Sequence, residues 1–331
     1  MEINLSHGGG GRETAKLIEE IFLPHFKNEY GDATRDAAVL QTRGRVVFTS
    51  DSFVVDPLFF RGGDIGRLAV CGTVNDMLTS GAVPKYLSAS FILEEGLSTE
   101  DLERVACSME EAAHEAGVFI VTGDTKVVEG KGRLFINTAG IGELTGSPVA
   151  PDAPVDFSNA KTGDKLIITG CLGSHHACIL SARMGIKNEI QSDVSPLCAI
   201  VSRLRAEKIP LHGMRDVTRG GLATVLCELS KQYGFGAFIY EASLPVLPAV
   251  GGLCSILGLD PLYMSNEGVM LMAVPSTHSE AAARVIRQER YGNNAVIIGE
   301  IAVNDIVTLK TKIGGNRMLT PLIGESLPRV C

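Results

Sequence analysis

The chain is 331 residues long, 45% hydrophobic and 21% charged, with 37 glycines, no tryptophan and a formal net charge of −8. That length exceeds what one hydrophobic core usually serves, so two domains are expected. The acidic balance, with no Lys/Arg block to offset it, argues against nucleic-acid binding. The longest apolar stretch, Leu244 to Leu259, is broken by Pro245, Pro248 and paired glycines and is too short for a bilayer.

In chain order, Met1-Glu2-Ile3-Asn4 lacks the basic-then-apolar pattern of a signal peptide, so a cytoplasmic location is expected. Ala15, Ile18, Phe22 and Phe26 recur at helical spacing and predict a helix over Arg12 to Phe26. A short strand over Arg45 to Thr49 leads into Ser50-Asp51-Ser52. Asp64 N-caps a helix running to Leu78. A strand over Tyr86 to Leu93, an acid-led helix over Thr99 to Ala116, and strands over Val118 to Val121 and Arg133 to Ile141 complete the first half.

Pro148, Pro151 and Pro154 fall among small polar residues between Thr145 and Thr162, the best linker in the chain. A second series follows. Strands are expected at Lys165–Thr169, Phe235–Tyr240, Val269–Val274 and Ala295–Ala302. Helices are expected at His175–Met184, Pro196–Glu207, Gly220–Gln232 and His278–Arg290. Mixed α/β content in both halves predicts two domains of the α/β or α+β class.

Three features carry chemistry. The glycine run His7-Gly8-Gly9-Gly10-Gly11 precedes the first helix, where backbone N–H groups and the helix dipole favour phosphate, although no Walker A or Rossmann pattern accompanies it. Five aspartates sit beside small residues or at expected strand ends: Asp36, Asp51, Asp76, Asp124 in Thr-Gly123-Asp-Thr125-Lys126, and Asp216 in Arg-Asp-Val-Thr-Arg219-Gly-Gly. Carboxylates are hard oxygen ligands of Mg²⁺, which bridges protein acids to nucleotide phosphates. Singly, each aspartate except Asp76, which lies inside a helical stretch between apolar neighbours, would be read as a cap or a turn residue; their joint occurrence points to a site.

The third feature is Cys331, a thiol on the last residue. Eight cysteines without a Cys-x-x-Cys pair read as reduced thiols, seven of them small core residues, and Cys171, His175 and Cys178 match no common zinc spacing. From Gly324 the tail can extend roughly 23–25 Å, which makes an arm with a nucleophilic tip.

These residues resemble the HypE family of hydrogenase maturation proteins. Its wider superfamily includes aminoimidazole ribonucleotide synthetase, selenophosphate synthetase and thiamine monophosphate kinase. The resemblance runs over essentially the whole chain. Its motifs are the His7 glycine run, Ser50 to Phe60, Gly72-Thr-Val-Asn-Asp76, Phe91 to Gly96, Val121 to Val128, Asp216 to Gly221, Asn266-Glu267-Gly268 and Pro328-Arg-Val-Cys331. One stretch departs: Leu172-Gly173-Ser174-His175-His176 stands where Leu-Gly-Asp-His-Gly is expected, which puts any acid role at position 174 in doubt.

The resemblance implies a PurM-like architecture. A dimerising ATP-binding domain occupies 1–150, an α/β domain 151–320, and a mobile tail carrying Cys331 spans 321–331. It implies ATP-dependent dehydration of a carbamoyl group on Cys331 to a thiocyanate, supplying cyanide ligands to the iron of [NiFe] hydrogenase. The implied partners are a second copy of the chain, the carbamoyltransferase HypF and a HypC–HypD complex; nucleic acid and membrane are not expected. Gly9, Gly10, Asp36, Asp51, Asp76, Gly123, Asp124, Thr125, Asp216 and Arg219 are placed at the nucleotide, with Mg²⁺ on Asp51, Asp76 and Asp124. Lys126 is expected to act on the carbamoyl or phosphoryl oxygen, and Glu267 to orient or deprotonate the NH₂ group. Two alternatives remain: an ATP enzyme acting on a free small molecule, and a non-catalytic thiol carrier.

Overall fold

The structure, a computed structural model, describes residues 2–9, 12–30, 37–144 and 153–322. The described N-terminal residues form a 3₁₀ turn, Leu5–Gly8, closed by a reciprocal capping box between Asn4 and His7. His7 is buried there, and its Nδ1 accepts the Asn4 backbone N–H at 3.1 Å. A continuous helical segment follows: α1 (Arg12–Leu17), a π turn (Ile18–Phe22) and α2 (Leu23–Phe26). Of the predicted apolar stripe, Phe22 is buried and Ile18 and Phe26 are partly buried, but Ala15 is exposed and Leu17 and Ile21 are buried instead; the rings of Phe22 and Phe91 lie 4.5 Å apart.

The first sheet contains β1 (Val46–Phe53), β4 (Ala82–Glu94), β5 (Phe119–Val128) and β6 (Leu134–Leu144), in the order β1-β6-β4-β5. A small hairpin, β2 (Phe59–Phe60) with β3 (Gly63–Asp64), leads into α3 (Ile65–Thr79). α3 starts at Asp64, whose carboxylate accepts the N–H groups of Gly66 and Arg67 at 2.7 and 3.0 Å. α4 (Thr99–Ala116) runs from its Ser98 cap to Gly117 in the left-handed region and connects the parallel pair β4 and β5.

The second sheet has the order β13-β12-β9-β11-β7-β10-β8, antiparallel except for β12 beside β9. Its strands are β7 (Lys165–Ile168), β8 (Gly213–Asp216), β9 (Gly236–Tyr240), β10 (Met270–Val274), β11 (Val296–Ala302), β12 (Val307–Lys310) and β13 (Asn316–Met318). Helices α5 (Ser174–Arg183), α6 (Cys198–Ala206), α7 (Gly221–Tyr233), α8 (Pro248–Leu257) and α9 (Ser279–Arg287) complete this half. β8, α8, β12 and β13 were not expected from the sequence. β8 reads Gly-Met-Arg-Asp, too short for a periodic signal, and in α8 the proline that masks the helix is its first residue, where no N–H is needed.

α3 determines how the halves meet. It packs on β1, β4 and β6 on one side and on β8 and α6 on the other, so eleven of its fifteen residues are buried. A helix apolar on all sides belongs inside a core rather than on one. One hydrophobic cluster accordingly runs from Leu68 and Val74 in α3 to Ile200 and Met272 of the second half. The expected linker lies partly outside the described residues; in its described part Phe157 is buried as the first residue of a short turn capped by Asp156.

Candidate functional site

The burial of α3 carries Asp76 to the boundary between the halves. Thr49 Oγ1 on β1 donates to Asp76 Oδ2 at 3.1 Å, and Asp51, two residues along the same strand face, joins them. Burial, then the charges of Asp216 and Asp51, push the Asp76 carboxyl up to about 6. Asp216 ends β8. Its Oδ2 accepts from Thr218 Oγ1 at 2.9 Å, while Oδ1 is buried with no hydrogen-bond partner, its nearest cation being the Arg215 guanidinium at 3.7 Å.

Glu267 reaches the same place from the turn before β10. Burial, followed by the carboxylates of Asp193, Asp216, Asp51 and Asp76, pushes Glu267 well above the usual carboxylate range. Its neighbour Asn266 is fully buried: Oδ1 accepts the Gly173 N–H at 2.7 Å, and Nδ2 donates to the Val217 and Met264 carbonyls at 2.8 and 3.2 Å. Asn266 therefore fixes the turn, and Glu267 is the acid it presents.

Asp193 was not anticipated. It lies in an irregular segment between α5 and α6 with no motif to flag it, and its carboxylate accepts the backbone N–H groups of His175, Glu267 and Gly268 at 2.9, 3.1 and 3.0 Å. Burial outweighs these donors and pushes Asp193 up to about 6. Position 174 is a serine, and the acid that meets the start of α5 is Asp193, across space. His175 is buried beside Ser192 Oγ at 2.8 Å, and burial pushes its pKa down to about 3; His176 is pushed down to about 4. Both are neutral imidazoles of the core.

The expected metal trio is divided. Register pairs Asp51 with Thr138, Thr138 with Ala89 and Ala89 with Gly123, whereas Asp124 aligns with Ser90, Asn137 and Ser52. Asp51 thus faces the helices and Asp124 the open side of the sheet, three strands away or roughly 14 Å. Asp124 is also not at a strand end; it lies mid-strand in β5, as Asp51 lies within β1. Asp124 Oδ1 accepts from Lys126 Nζ at 2.9 Å, and this bond, with the Thr125 N–H, holds its carboxyl below the usual range. Among the described residues no three His, Cys, Asp or Glu side chains close on one metal position.

Gly123 has a structural reason of its own, since a β-carbon there would overlap the Ala89 carbonyl oxygen on β4. Thr125 is buried in the same strand. Around this segment a cavity of about 360 Å³ lies between β5 and the first helices, with Ile18, Phe22, Phe26 and Phe91 in its walls and Asp124 and Lys126 also lining it. Gly9 closes the N-terminal turn by donating to the Ser6 carbonyl at 3.3 Å. Arg219 is exposed at the turn before α7, where Gly220 and Gly221 take positive φ. Gly10, Asp36 and Cys331 lie outside the described residues.

The described cysteines differ from expectation in exposure but not in chemistry. Cys71, Cys178 and Cys254 are buried, whereas Cys107, Cys171, Cys198 and Cys227 are partly open. Burial raises the pKa of all seven, to about 11 at Cys227 and about 12 at Cys198. Each is held as a thiol at neutral pH.

Residues 34–144 match the family described as AIR synthase related protein, N-terminal domain, and residues 161–312 its C-terminal domain. A carbamoyl dehydratase HypE of Cupriavidus necator is 44% identical over 99% of this chain and 95% of its own length. A solved hydrogenase maturation protein HypE in complex with ATP superposes with a TM-score of 0.93, at 44% identity and covering 99% of both chains. A HypE–HypF complex structure matches with a TM-score of 0.80 at 46% identity, covering 92% of this chain and 99% of that one. No helix among the described residues is long and apolar enough to cross a membrane.

Proposed function

The chain belongs to the HypE family of the AIR synthase related proteins, and from that premise we propose that it is an ATP-dependent carbamoyl dehydratase whose substrate group is carried on its own Cys331. The observation that carries the reading is full-length likeness to a HypE solved with ATP, joined to an acid cluster where the halves of this chain meet. The seven thiols held protonated elsewhere support Cys331 of the Pro-Arg-Val-Cys motif as the acceptor.

In this mechanism the carbamoyl group arrives as Cys331 S–C(=O)NH₂. Its oxygen attacks the γ-phosphorus of ATP, the bond to ADP breaks, and an imino-phosphate forms with loss of one nitrogen proton. Loss of the second nitrogen proton then expels phosphate and leaves S–C≡N. Phosphorylation turns an amide oxygen, a very poor leaving group, into a good one. Glu267, raised well above the usual carboxylate range by burial and then by the carboxylates around it, receives the nitrogen proton. Lys126, bonded to Asp124 on the opposite face of the first sheet from Glu267, keeps its assignment to the carbamoyl or phosphoryl oxygen by resemblance alone. The aromatic-walled cavity takes the nucleotide base.

The donors suit Mg²⁺ in chemical type but do not by themselves close on one metal position. Asp51, Asp76 and Asp216 are hard oxygen donors in a surplus of negative charge, and Asp216 Oδ1 has no hydrogen-bond partner. With nucleotide phosphate oxygens added to the set, these three would hold the ion, which would supply charge neutralisation on the phosphates. Gly9, Gly10, Asp36, Thr125 and Arg219 stay assigned to the nucleotide by resemblance alone.

A second copy of the chain is the expected partner on the open sheet face, where Phe48 is 67% and Ile92 46% exposed. HypF as the carbamoyl donor is supported by the likeness to a HypE–HypF complex, and a HypC–HypD acceptor by resemblance. The test is intact-protein mass spectrometry with carbamoyl phosphate, the carbamoyltransferase and ATP. Carbamoyl addition at Cys331, followed by loss of one water only with ATP and Mg²⁺, is expected; modification of another cysteine, or no water loss, overturns the reading.

A further inference from the structure

The segment 192–197 is gripped from both halves. From α3, Arg67 Nε donates to the Val194 carbonyl at 3.2 Å and Asn75 Nδ2 to the Ser195 carbonyl at 2.9 Å, while Asn75 Oδ1 accepts the Leu197 N–H at 2.9 Å. Asn75 Nδ2 also lies 3.4 Å from the Glu267 carbonyl oxygen. From the second half, Asp193 collects three backbone N–H groups, two of them on Oδ2 from consecutive residues, Glu267 and Gly268. Ser195 Oγ donates to the Asp193 carbonyl at 2.9 Å, and a β-carbon on Gly268 would overlap that carbonyl and the Ser195 hydroxyl. The contact between Asp193, Ser195 and Gly268 therefore leaves no room for a side chain at 268. Asn75 is adjacent in sequence to Asp76, so one joint links the backbones of two of the acids.

We infer that Asp193 is a positioning residue: it fixes the backbone of Glu267 against α3, so that Glu267 keeps one placement relative to Asp76 where the halves meet. The inference deepens the dehydratase reading and rests on it. The chemistry of the contact requires a carboxylate. An amide at 193 has one acceptor oxygen, so either the His175 N–H or the Glu267–Gly268 pair would face an NH₂ group. Buried N–H groups without an acceptor are costly, and the turn would shift to find others. The Glu267 carboxyl moves with its own backbone, and a displacement of about 1 Å at a reacting group costs on the order of 100-fold in rate.

The experiment measures single-turnover water loss from S-carbamoylated full-length protein by intact mass, with ATP and Mg²⁺, for wild type, D193N, E267Q and the double variant. D193N is expected to slow water loss about 100-fold with ATP affinity unchanged. Because Asp193 acts through Glu267, the double variant is expected to be no slower than E267Q alone. D193N at wild-type rate, or losses that multiply in the double variant, overturns the inference. If D193N does not fold, Ser195→Ala carries the test: a smaller slowing that vanishes in the E267Q background is expected, and its persistence there overturns the inference. A wild-type protein that loses no water overturns the dehydratase reading first, and the inference with it.

Discussion

Asp51 and Asp124 stand on opposite faces of one four-stranded sheet, because Asp51 aligns with Gly123 and not with Asp124 across the register. Residues on opposite faces and roughly 14 Å apart do not share a ligand. Asp51→Asn and Asp124→Asn should therefore add, to within about 0.5 kcal/mol, in their effect on the ATP-dependent step. The Asp51 variant should raise the Mg²⁺ concentration needed, and the Asp124 variant should not. A double variant no worse than the worse single would restore a shared metal.

Glu267→Gln should bind ATP as wild type does and lose water from the carbamoyl group about 100- to 10,000-fold more slowly. Equilibrium nucleotide binding and single-turnover mass spectrometry separate the two effects. Loss of ATP binding with an unchanged rate at saturation would make Glu267 a nucleotide ligand instead of a base.

Asp76 carries a raised pKa because burial, Asp216 and Asp51 all oppose its charge. A carboxyl raised in the folded state binds its proton more tightly there, so metal-free stability should fall as pH rises from about 4 to about 6. Asp76→Asn should flatten that slope and, at neutral pH without Mg²⁺, stabilise the fold by on the order of 1–3 kcal/mol. Urea midpoints against pH test this, and a steeper slope in the variant would contradict it.

His25 on α2 reaches α4, with Nε2 2.9 Å from Glu103 and Nδ1 2.6 Å from Glu110. Burial opposes its charge, but the bonds to Glu110 and Glu103 outweigh it and raise the pKa above 6.5. The clamp's contribution is full below pH 6.5 and is lost as pH rises through the raised value. His25→Gln should be less stable than wild type at pH 6 and converge with it at alkaline pH. A stability gap independent of pH would remove the charge from the account.

Gly123→Ala should destabilise the first sheet by about 2 kcal/mol or more, since its β-carbon overlaps the Ala89 carbonyl oxygen. Gly117→Ala serves as the control at a helix end: nothing crowds that position, so only its left-handed φ is strained. Equal losses in thermal unfolding would argue against the strand clash.

Local signals read well where the physics is local. The acids opening α4, the Asp64 cap and the helical spacing of Ile18, Phe22 and Phe26 each act within one or two turns, and the structure bears these out, although Ala15 of the same stripe is exposed. Short or masked elements did not read: β8 has four residues, and α8 is apolar but interrupted by glycines. The glycine run read as a phosphate cradle, yet its described part is a 3₁₀ turn tied by Asn4 and His7. Asp193 left no trace in the sequence because its partners, His175 and Glu267, lie 18 and 74 positions away.

By itself the sequence determined the α/β class, the family through its motifs, and the acids available for chemistry. Those are properties of residue type and spacing along the chain. The tertiary structure alone decided which acids stand together: burying α3 on both sides set Asp76 against Asp51, Asp216 and Glu267. The two-residue period of the strands then put Asp124 on the other face. Charge clustering depends on distance and desolvation, and neither is fixed until the two halves close on α3.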